Sequence, residues 1–500
     1  MIYRPNRTHF SYVVKQIIKF IKNVWVFGVI ALTTGIKSPL FLGFIAILVL
    51  SIIFIIIEWR KTIFYIKDNI LVLEKGVIST SKQEVPFDKI NTIDSSQSLI
   101  DRIFKVYTLK VDTGSVIAKK SEFLVIVKKE RLDELKNSII DKDNKTSPNL
   151  SIDKDKEAEV SEEVRFNKDT EEHLVNRRVI TSKEIFKYAL TKSKIFWAIG
   201  GFFALTNGLD DILRYFDLKI FNSVVNYINL NSIQSKSVFI IILAFIILSI
   251  FVYMIIVVAS VIFEMIRLNN FTVETYKDKI SISYGLFTKK QYSFKLNKVY
   301  GIRFKQTLLQ QFMNIGVLEL ITVGYGDEKD EKAILYPIID EKSKEDFLKT
   351  VLPDMIFEGE IVNPPKSSFI AFILKGIIIP VIILVPIDIF LKIVPNNVKL
   401  SVILIVLVLS FIASLLNYKN TSLGTSKNVL IASSGGLSKV TTIIREEAVQ
   451  SITKKQGIFQ NRVKVCSYKI DLYSNKLGDV INVKYINQSL YNKIQENLKF

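Results

Sequence analysis

Residues 76–111 read GVISTSKQEVPFDKINTIDSSQSLIDRIFKVYTLKV, and residues 285–320 and 435–470 repeat this pattern without a gap. Each copy starts with a glycine that is followed 21 residues later by a glutamine: Gly76 and Gln97, Gly285 and Gln306, Gly435 and Gln456. Apolar positions between the two also coincide, as at Ile93, Ile302 and Ile452. Self-similarity at a fixed spacing is the sign of a repeated structural unit. The chain therefore contains three copies of one domain.

Each copy combines short strands with one closing helix. Apolar residues alternate with polar ones before the glycine, as at Ile70 and Val72 or at Ile280 and Ile282, which predicts strands that end in a glycine turn. Apolar residues at helical spacing close the copies at Arg131 to Ile140, Ser343 to Leu352 and Gln488 to Leu498. The pattern predicts a curved antiparallel sheet or barrel plus a C-terminal helix.

Long apolar segments precede each copy. A membrane-spanning helix needs about 20 mostly apolar residues. Three segments without any charged residue are Pro39 to Ile57, Val238 to Phe263 and Leu400 to Leu416, and each follows a weaker segment, respectively Ile17 to Ile36, Phe186 to Leu209 and Phe369 to Phe390. We predict six transmembrane helices in three hairpins. The alternative is that a weaker segment lies on the membrane surface, which the amphipathic pattern from His9 to Lys22 also allows.

Composition and charge agree with a membrane protein that has large polar domains. Of the 500 residues, 49% are hydrophobic and 23% are charged, with 67 Lys and Arg against 48 Asp and Glu; the mean hydropathy is +0.30. Arg4, Arg7 and Lys15 precede the first hairpin and Arg60 follows it. Because positive charge favours the cytoplasmic side, we place both termini and all three domains on the cytoplasmic side of the cell membrane, which the chain crosses several times. The single cysteine, Cys466, excludes a disulfide framework.

The predicted order alternates hairpins with domains. It runs as follows: basic N-terminus and hairpin 1 at 1–57, domain 1 at 58–140, a charged and disordered linker at 141–185, hairpin 2 at 186–263, domain 2 at 264–358, hairpin 3 at 359–416 and domain 3 at 417–500.

The motifs of the first copy resemble a known family. They are G-V-I from Gly76, V-P-F-D-K-I from Val85 and Q-S-L-I-D-R from Gln97. They are similar to the bacterial pleckstrin-homology-like (PH-like) domain of the YdbT-like group of membrane proteins. This resemblance implies about seven strands and a C-terminal helix in each domain. It also implies a partner, a smaller membrane protein with a related PH-like domain, and a role in protection against envelope stress.

The chain departs from the family at two places in this motif. Lys105 stands where the family has a glycine after the aromatic residue. Arg102 becomes Gln311 and Asn461 in the second and third copies. We infer that the three copies do not share one identical binding site.

Candidate binding residues concentrate in the third domain. Residues 417–500 contain 13 Lys and Arg against 5 Asp and Glu. The densest group, called the basic patch, is Lys454, Lys455, Arg462 and Lys464. We predict that it contacts anionic lipid headgroups or an acidic partner segment; generic positive charge on the cytoplasmic side is the alternative. Nucleic acid is not expected, because no recognised binding module accompanies the charge.

The repeated glycines and glutamines have two interpretations. We favour turn formation for Gly76, Gly285 and Gly435, because glycine accepts positive φ without steric cost. For Gln97, Gln306 and Gln456 we favour amides that satisfy backbone groups, and contact with a ligand is the alternative.

No sequence motif predicts catalysis. The chain lacks a phosphate-binding loop, an H-E-x-x-H pair, a G-x-S-x-G elbow and a C-x-x-C pair, and it has only two histidines. We therefore expect no enzyme activity, no metal and no cofactor. The predicted function is a membrane scaffold or sensor that binds lipids, peptides or membrane proteins and allows a homo-oligomer. The alternative is a transporter or export-complex subunit, with Asp388 near Pro380 and Pro386 as an ion-coupling residue.

Overall fold

The computed structural model describes residues 5–497 except 34, 114–122, 144–173, 193–234, 323–332, 391–395, 427 and 474–478. Within these residues the chain forms three copies of one domain, modules 1 to 3. Each module has a four-stranded and a three-stranded antiparallel portion of sheet, a short helix after the fifth strand and a closing helix. The seven strands and closing helix agree with the expectation from the family resemblance.

Module 1 carries the first hairpin. Its elements are β1 (Asn6–Arg7), α1 (Ser11–Thr33), α2 (Pro39–Lys61), β2 (Ile63–Lys67), β3 (Ile70–Lys75), β4 (Ser81–Pro86), β5 (Thr92–Gln97), α3 (Leu99–Ile103), β6 (Val106–Asp112), β7 (Phe123–Lys128) and α4 (Lys129–Asp143). The closing helix places Leu132 and Leu135 against buried strand residues such as Phe64 and Val111. These side chains form the core of the module.

Module 2 repeats this order. Its elements are β8 (Leu174–Val179), α5 (Ser182–Thr191), α6 (Ser235–Arg267), β9 (Thr272–Tyr276), β10 (Lys279–Tyr284), β11 (Lys289–Lys295), β12 (Val299–Thr307), α7 (Leu308–Phe312), β13 (Ile315–Thr322), β14 (Ile334–Asp340) and α8 (Glu341–Val351). Phe347 and Leu348 of the closing helix pack in a core with Tyr292 and Tyr336.

Module 3 completes the chain. Its elements are β15 (Glu360–Val362), α9 (Phe369–Phe390), α10 (Asn396–Asn420), β16 (Ser422–Thr425), β17 (Val429–Ser434), β18 (Ser438–Arg445), β19 (Val449–Lys455), α11 (Ile458–Arg462), β20 (Val465–Leu472), β21 (Val480–Asn487) and α12 (Leu490–Asn497). Cys466 and Tyr468 are buried in its core beside Leu490 and Ile494 of the closing helix.

Each hairpin is inserted between the first two strands of its module. The strand before the hairpin pairs with the strand after it: Arg7 with Ile63, Val179 with Thr272, and Val362 with Leu423. Both ends of a hairpin are therefore fixed to the same sheet. This corrects the predicted domain starts at residues 58, 264 and 417, because each module begins before its hairpin. These first strands are short and lie far in sequence from their partners, so local patterning could not reveal them.

The predicted charged linker at 141–185 is also too long. Strand β8 and the start of α5 lie inside it and belong to module 2. The first residues of the predicted span Phe186 to Leu209 are likewise part of module 2, since α5 ends at Thr191 and its Ile185 and Tyr188 pack in the module core. Residues 144–173 and 193–234 lie outside the described residues.

Four helices of the described residues are long and apolar enough to cross a membrane. They are Ser11–Thr33, Pro39–Lys61, Lys366–Leu384 and Ile403–Asn420. Helix α6, at Ser235–Arg267, covers the predicted span Val238 to Phe263. The apolar side chains of α2 remain exposed within the protein, as expected for a helix that faces lipid.

The modules join edge to edge through their sheets. Strand β5 of module 1 pairs antiparallel with β11 of module 2, and β12 of module 2 pairs antiparallel with β18 of module 3. Each junction produces a continuous seven-stranded sheet. The cores of modules 2 and 3 also merge, because Val429 and Ile431 of module 3 pack with the core of module 2. The sequence did not predict these junctions.

Candidate functional site

The turn glycines Gly76, Gly285 and Gly435 have one geometry. Their φ values are 128°, 110° and 114°. A Cβ at any of them would overlap the carbonyl oxygen of the residue three positions later. Only glycine fits this left-handed turn between the third and fourth strands of each module.

The repeat glutamines Gln97, Gln306 and Gln456 also have one geometry. In each, Nε2 donates a hydrogen bond to the carbonyl oxygen of the residue nine positions later, at 3.2, 3.0 and 3.1 Å. The acceptors are Val106, Ile315 and Val465, each at the start of the following strand. The amide therefore closes the corner that contains the short helix.

The two module junctions share one register. Gln97 lies opposite Lys289, and Gln306 lies opposite Lys439. Each lysine stands four residues after the turn glycine of its module. The repeated pattern of the sequence thus corresponds to a repeated contact between modules as well as to a repeated fold.

A side chain of the short helix reinforces each junction. Arg102 donates from Nη1 to the carbonyl oxygen of Leu286 at 2.9 Å, and Gln311 donates from Nε2 to that of Gly436 at 3.0 Å. Both acceptors directly follow a turn glycine. The departure from Arg102 to Gln311 therefore keeps a donor at the same contact. The third residue of this series is Asn461.

The junctions also include the C-terminal ends of hairpin helices. Leu286 donates its backbone N–H to the carbonyl oxygen of Ile266, in the last turn of α6. Asn420, the last residue of α10, donates from Nδ2 to Gln311 at 2.8 Å and to the carbonyl oxygen of Gly435 at 2.9 Å. The short helices of modules 1 and 2 thus lie close to the exit of the hairpin that belongs to the next module.

The start of each of the first two hairpins contacts the short helix of its own module. Lys15 of α1 forms an ion pair with the fully buried Asp101 of α3 at 2.6 Å. In module 2 the contact is neutral, since Gln310 donates to the hydroxyl of Thr191 at 3.2 Å and Thr307 donates to its carbonyl oxygen at 2.8 Å. The short helices of modules 1 and 2 therefore lie on the side of the module from which its hairpin starts.

The basic patch lies on two consecutive elements of module 3. Lys454 and Lys455 end β19, Arg462 ends α11, and Lys464 follows it with a φ of 52°. All four side chains are exposed. Among the ion pairs of the described residues, none involves these four. Lys454 lies over the ring of Tyr491, with its Nζ 5.5 Å from the centroid.

Acidic and thiol groups near the basic patch are already engaged. Hydrogen bonds from Lys469 and Ser451 lower the pKa of Asp471, and the charge of Lys455 acts in the same direction. Burial raises the pKa of Cys466. The described residues contain no group of three or more His, Cys, Asp or Glu that could hold a metal ion.

Asp388 belongs to helix α9 of the third hairpin. Asp388 lies near the end of α9, which closes at Phe390. Its side-chain surroundings lie outside the described residues. The ion-coupling hypothesis for Asp388 therefore stays a prediction.

Comparison with known proteins agrees with the repeated fold. The family model described as "Bacterial PH domain" matches residues 18–143, 221–355 and 369–499. The chain is also 25% identical over 499 residues to the transmembrane protein YdbT of Bacillus subtilis (strain 168), covering 98% of this chain and 97% of that protein. The three matches fall on the three modules together with hairpin sequence. The chain is a membrane protein that belongs to the bacterial PH domain family and contains that domain three times.

Proposed function

We propose that this protein is a non-enzymatic membrane scaffold or sensor that holds three PH-like modules at the cytoplasmic face and binds membrane proteins, peptides or anionic lipids there. We further propose that it serves the protection of the cell envelope. The observation that carries the proposal is the pair of sheet junctions, which join the modules into one array.

A fixed array suits a scaffold for a physical reason. When several weak sites are held in place together, binding at one raises the effective concentration at the next, so that the overall affinity exceeds that of any single site. Strand pairing limits the freedom of each module relative to its neighbours, and the merged core adds to this between modules 2 and 3. Less conformational entropy is then lost when a partner contacts two modules at once.

The position of the short helices supports an orientation toward the membrane. Exposed apolar side chains lie on all three, and they include Leu99, Ile103, Leu309, Phe312, Ile458 and Phe459. Since the first two of these helices contact the starts of the hairpins, we place their apolar side chains at the level where headgroups and acyl chains meet.

The basic patch supports a contact with anionic groups. A Lys or Arg near an anionic leaflet contributes about 1 kcal/mol, and salt weakens the effect. Its four cations lie on β19 and α11, beside the apolar side chains of Ile458 and Phe459. Charge beside apolar surface is what an interfacial contact requires.

The test is purification of the intact protein from its own membranes in mild detergent, followed by mass spectrometry of bound proteins and lipids. The variant replaces Lys454, Lys455, Arg462 and Lys464 by Gln. We expect it to lose an anionic lipid or a membrane protein that the unaltered protein retains.

The matched control removes the same charge from exposed lysines elsewhere, with Lys67, Lys75, Lys342 and Lys349 replaced by Gln. It should retain the bound species. Equal recovery from both variants would reject the basic patch as the contact. Recovery of no specific protein or lipid with any of the three proteins would reject the scaffold function.

A further inference from the structure

We propose that the free edge of module 3, formed by β19 and α11, receives a β-hairpin from a second membrane protein that carries its own PH-like module. We call this surface the open edge. The inference rests on the proposed scaffold function and assigns its protein-binding surface. It is drawn from the two junctions inside the chain, which together specify what such an edge binds.

Both internal junctions have the same three parts. The strand that carries the repeat glutamine, with Gln97 in β5 or Gln306 in β12, pairs antiparallel with a strand of the neighbouring module. A side chain of the short helix donates to the carbonyl oxygen that follows the turn glycine of the neighbouring module. The exit of a membrane helix lies directly behind that turn, at Ile266 in one junction and at Asn420 in the other.

Module 3 has the half of this contact that modules 1 and 2 present to the following module, namely the fifth strand and the short helix. Gln456, at the position of Gln97 and Gln306, directly follows strand β19, and the short helix carries Asn461 at the position of Arg102 and Gln311. Within the described residues, β19 pairs only with β20 and is the edge of a three-stranded sheet. Asn461 is a potential donor for a carbonyl oxygen in a further module.

Exposure at the open edge contrasts with the equivalent internal strands. Gln306 is 2% exposed and Phe304 is 2% exposed in the second junction. Their counterparts at the open edge, Gln456 and Lys454, are both exposed. On the short helix, Ile458 is 80% exposed and Phe459 is 81% exposed, against 55% for Leu309 in module 2. An unpaired strand beside exposed apolar side chains is a template for strand addition.

At the opposite end of the array, the edge of module 1 is protected against pairing with a further strand. In module 1 the carbonyl oxygen of Val77, which follows the turn glycine, accepts a hydrogen bond from Lys61 of the same chain at 3.2 Å. The edge strand β4 carries Pro86 and an ion pair between Lys82 and Glu84. Proline and charge are features that protect a sheet edge from further pairing.

Charge also argues against a second copy of this chain as the occupant. The register of the internal junctions pairs Phe304 with Thr441, which stands six residues after Gly435. Applied to the open edge and β4, the same register places Lys454 opposite Lys82. Like charges directly opposite each other destabilise a strand pair.

The occupant is therefore a different protein whose hairpin turns at a glycine and carries an acidic side chain six residues later, opposite Lys454. It is a membrane protein, because both internal junctions use the exit of a membrane helix behind the turn. In the completed contact its helix exit would lie beside α11, where Ile458 and Phe459 are exposed.

Site-specific photo-cross-linking in native membranes tests the open edge. The photoreactive residue p-benzoylphenylalanine replaces Thr453 of β19 or Asn461 of α11 in the full chain, and Ser81 of β4 serves as the control. We expect both open-edge positions, but not Ser81, to capture a membrane protein with a PH-like module, attached through the strand that follows its turn glycine.

A charge change makes the test specific to the edge. Lys454→Glu in the Asn461-labelled protein should lower the cross-linking yield by about fivefold, the change expected when one charge pair of an interface is lost. Lys469→Glu, on the neighbouring β20, serves as the control and should leave the yield unchanged.

Four outcomes would overturn the inference: capture of a second copy of this chain, capture of lipid alone, capture of proteins without a PH-like module, or no capture at either open-edge position. An unchanged yield with Lys454→Glu would also overturn it. In each of these cases, partner recovery that still depends on the basic patch in the purification experiment would leave the scaffold function standing.

Discussion

Single residues at the corners of each module hold the geometry on which the junctions depend. The turn glycine sets the direction of the β-hairpin formed by the third and fourth strands, which in modules 2 and 3 pairs with the preceding module. The repeat glutamine closes the corner from which the short helix starts. Gln306 has a role in its own module and in the junction. It is 2% exposed, donates a hydrogen bond to the carbonyl oxygen of Ile315, and lies opposite Lys439 of module 3. A repeated residue can therefore serve its own module and the neighbouring one.

Gly435→Ala is expected to destabilise module 3. Its φ of 114° is unfavourable for alanine, and the added Cβ would overlap the carbonyl oxygen of Ser438. Strain of this kind costs about 1–3 kcal/mol. The free energy of unfolding in detergent measures the effect. Gly43→Ala is the control, because no atom lies within 4 Å of the position of its Cβ; an equal loss in both variants would contradict the turn argument.

The modules are connected through pairs of strands. The size of the side chains on these strands decides how closely two modules approach. Gly301 of β12 lies where a Cβ would be 2.7 Å from the carbonyl oxygen of Ile443 and 2.8 Å from Cγ2 of Ile444. Arg303, two residues further, forms an ion pair with Asp479 of module 3. The second junction is thus closely packed and is stabilised by a half-buried charge pair.

Gly301→Val is expected to open the second junction and to leave the first intact. Overpacking of a closely packed site costs about 1–3 kcal/mol. Hydrogen exchange should therefore become faster in β12 and β18 and remain unchanged in β5 and β11. Ser451→Val places the same side chain at the equivalent position of β19, which faces no module of this chain, and should leave exchange in both junctions unaltered. Faster exchange in all four strands would instead indicate general unfolding of module 2.

The whole molecule is a row of hairpins and modules in which each module anchors both ends of its own hairpin. Both ends of a hairpin then lie on the side of the membrane that holds the sheet. Asn420, at the exit of the third hairpin, contacts Gln311 in the short helix of module 2. Leu286 connects the exit of the second hairpin to Arg102 of module 1, so the order along the chain is also the order in space. Strand pairing thus couples the arrangement of the membrane helices to that of the modules.

Labelling of introduced cysteines with a membrane-impermeant maleimide tests the proposed orientation. Lys67→Cys in module 1 and Lys342→Cys in module 2 are exposed and should react only after the cells are made permeable. Gly35→Cys, between α1 and α2, should react in intact cells. The native Cys466 is buried, so its background should be low. Labelling of Lys67→Cys in intact cells would contradict the cytoplasmic orientation.

Asp388→Asn separates the scaffold from the transporter. A scaffold does not use a proton or ion at this residue, so partner and lipid recovery from membranes should equal that of the unaltered protein. Uptake of any substrate by a coupled carrier would fall strongly, because the carboxylate that binds the coupling ion is removed. Loss of recovery with Asp388→Asn would count against the scaffold as proposed.

The repeat, the turn glycines, the closing helices and most apolar spans could be read from the sequence, because each depends on residues within one or two turns or strands. The first strand of each module could not, since β1, β8 and β15 pair with strands beyond an inserted hairpin. The junctions were equally hidden. The strands of Gln97 and Lys289 pair through main-chain hydrogen bonds, which almost any residue can form, so no side-chain pattern predicts the pairing. Local periodicity therefore predicted the modules, whereas long-range strand pairing joined them and left one edge open.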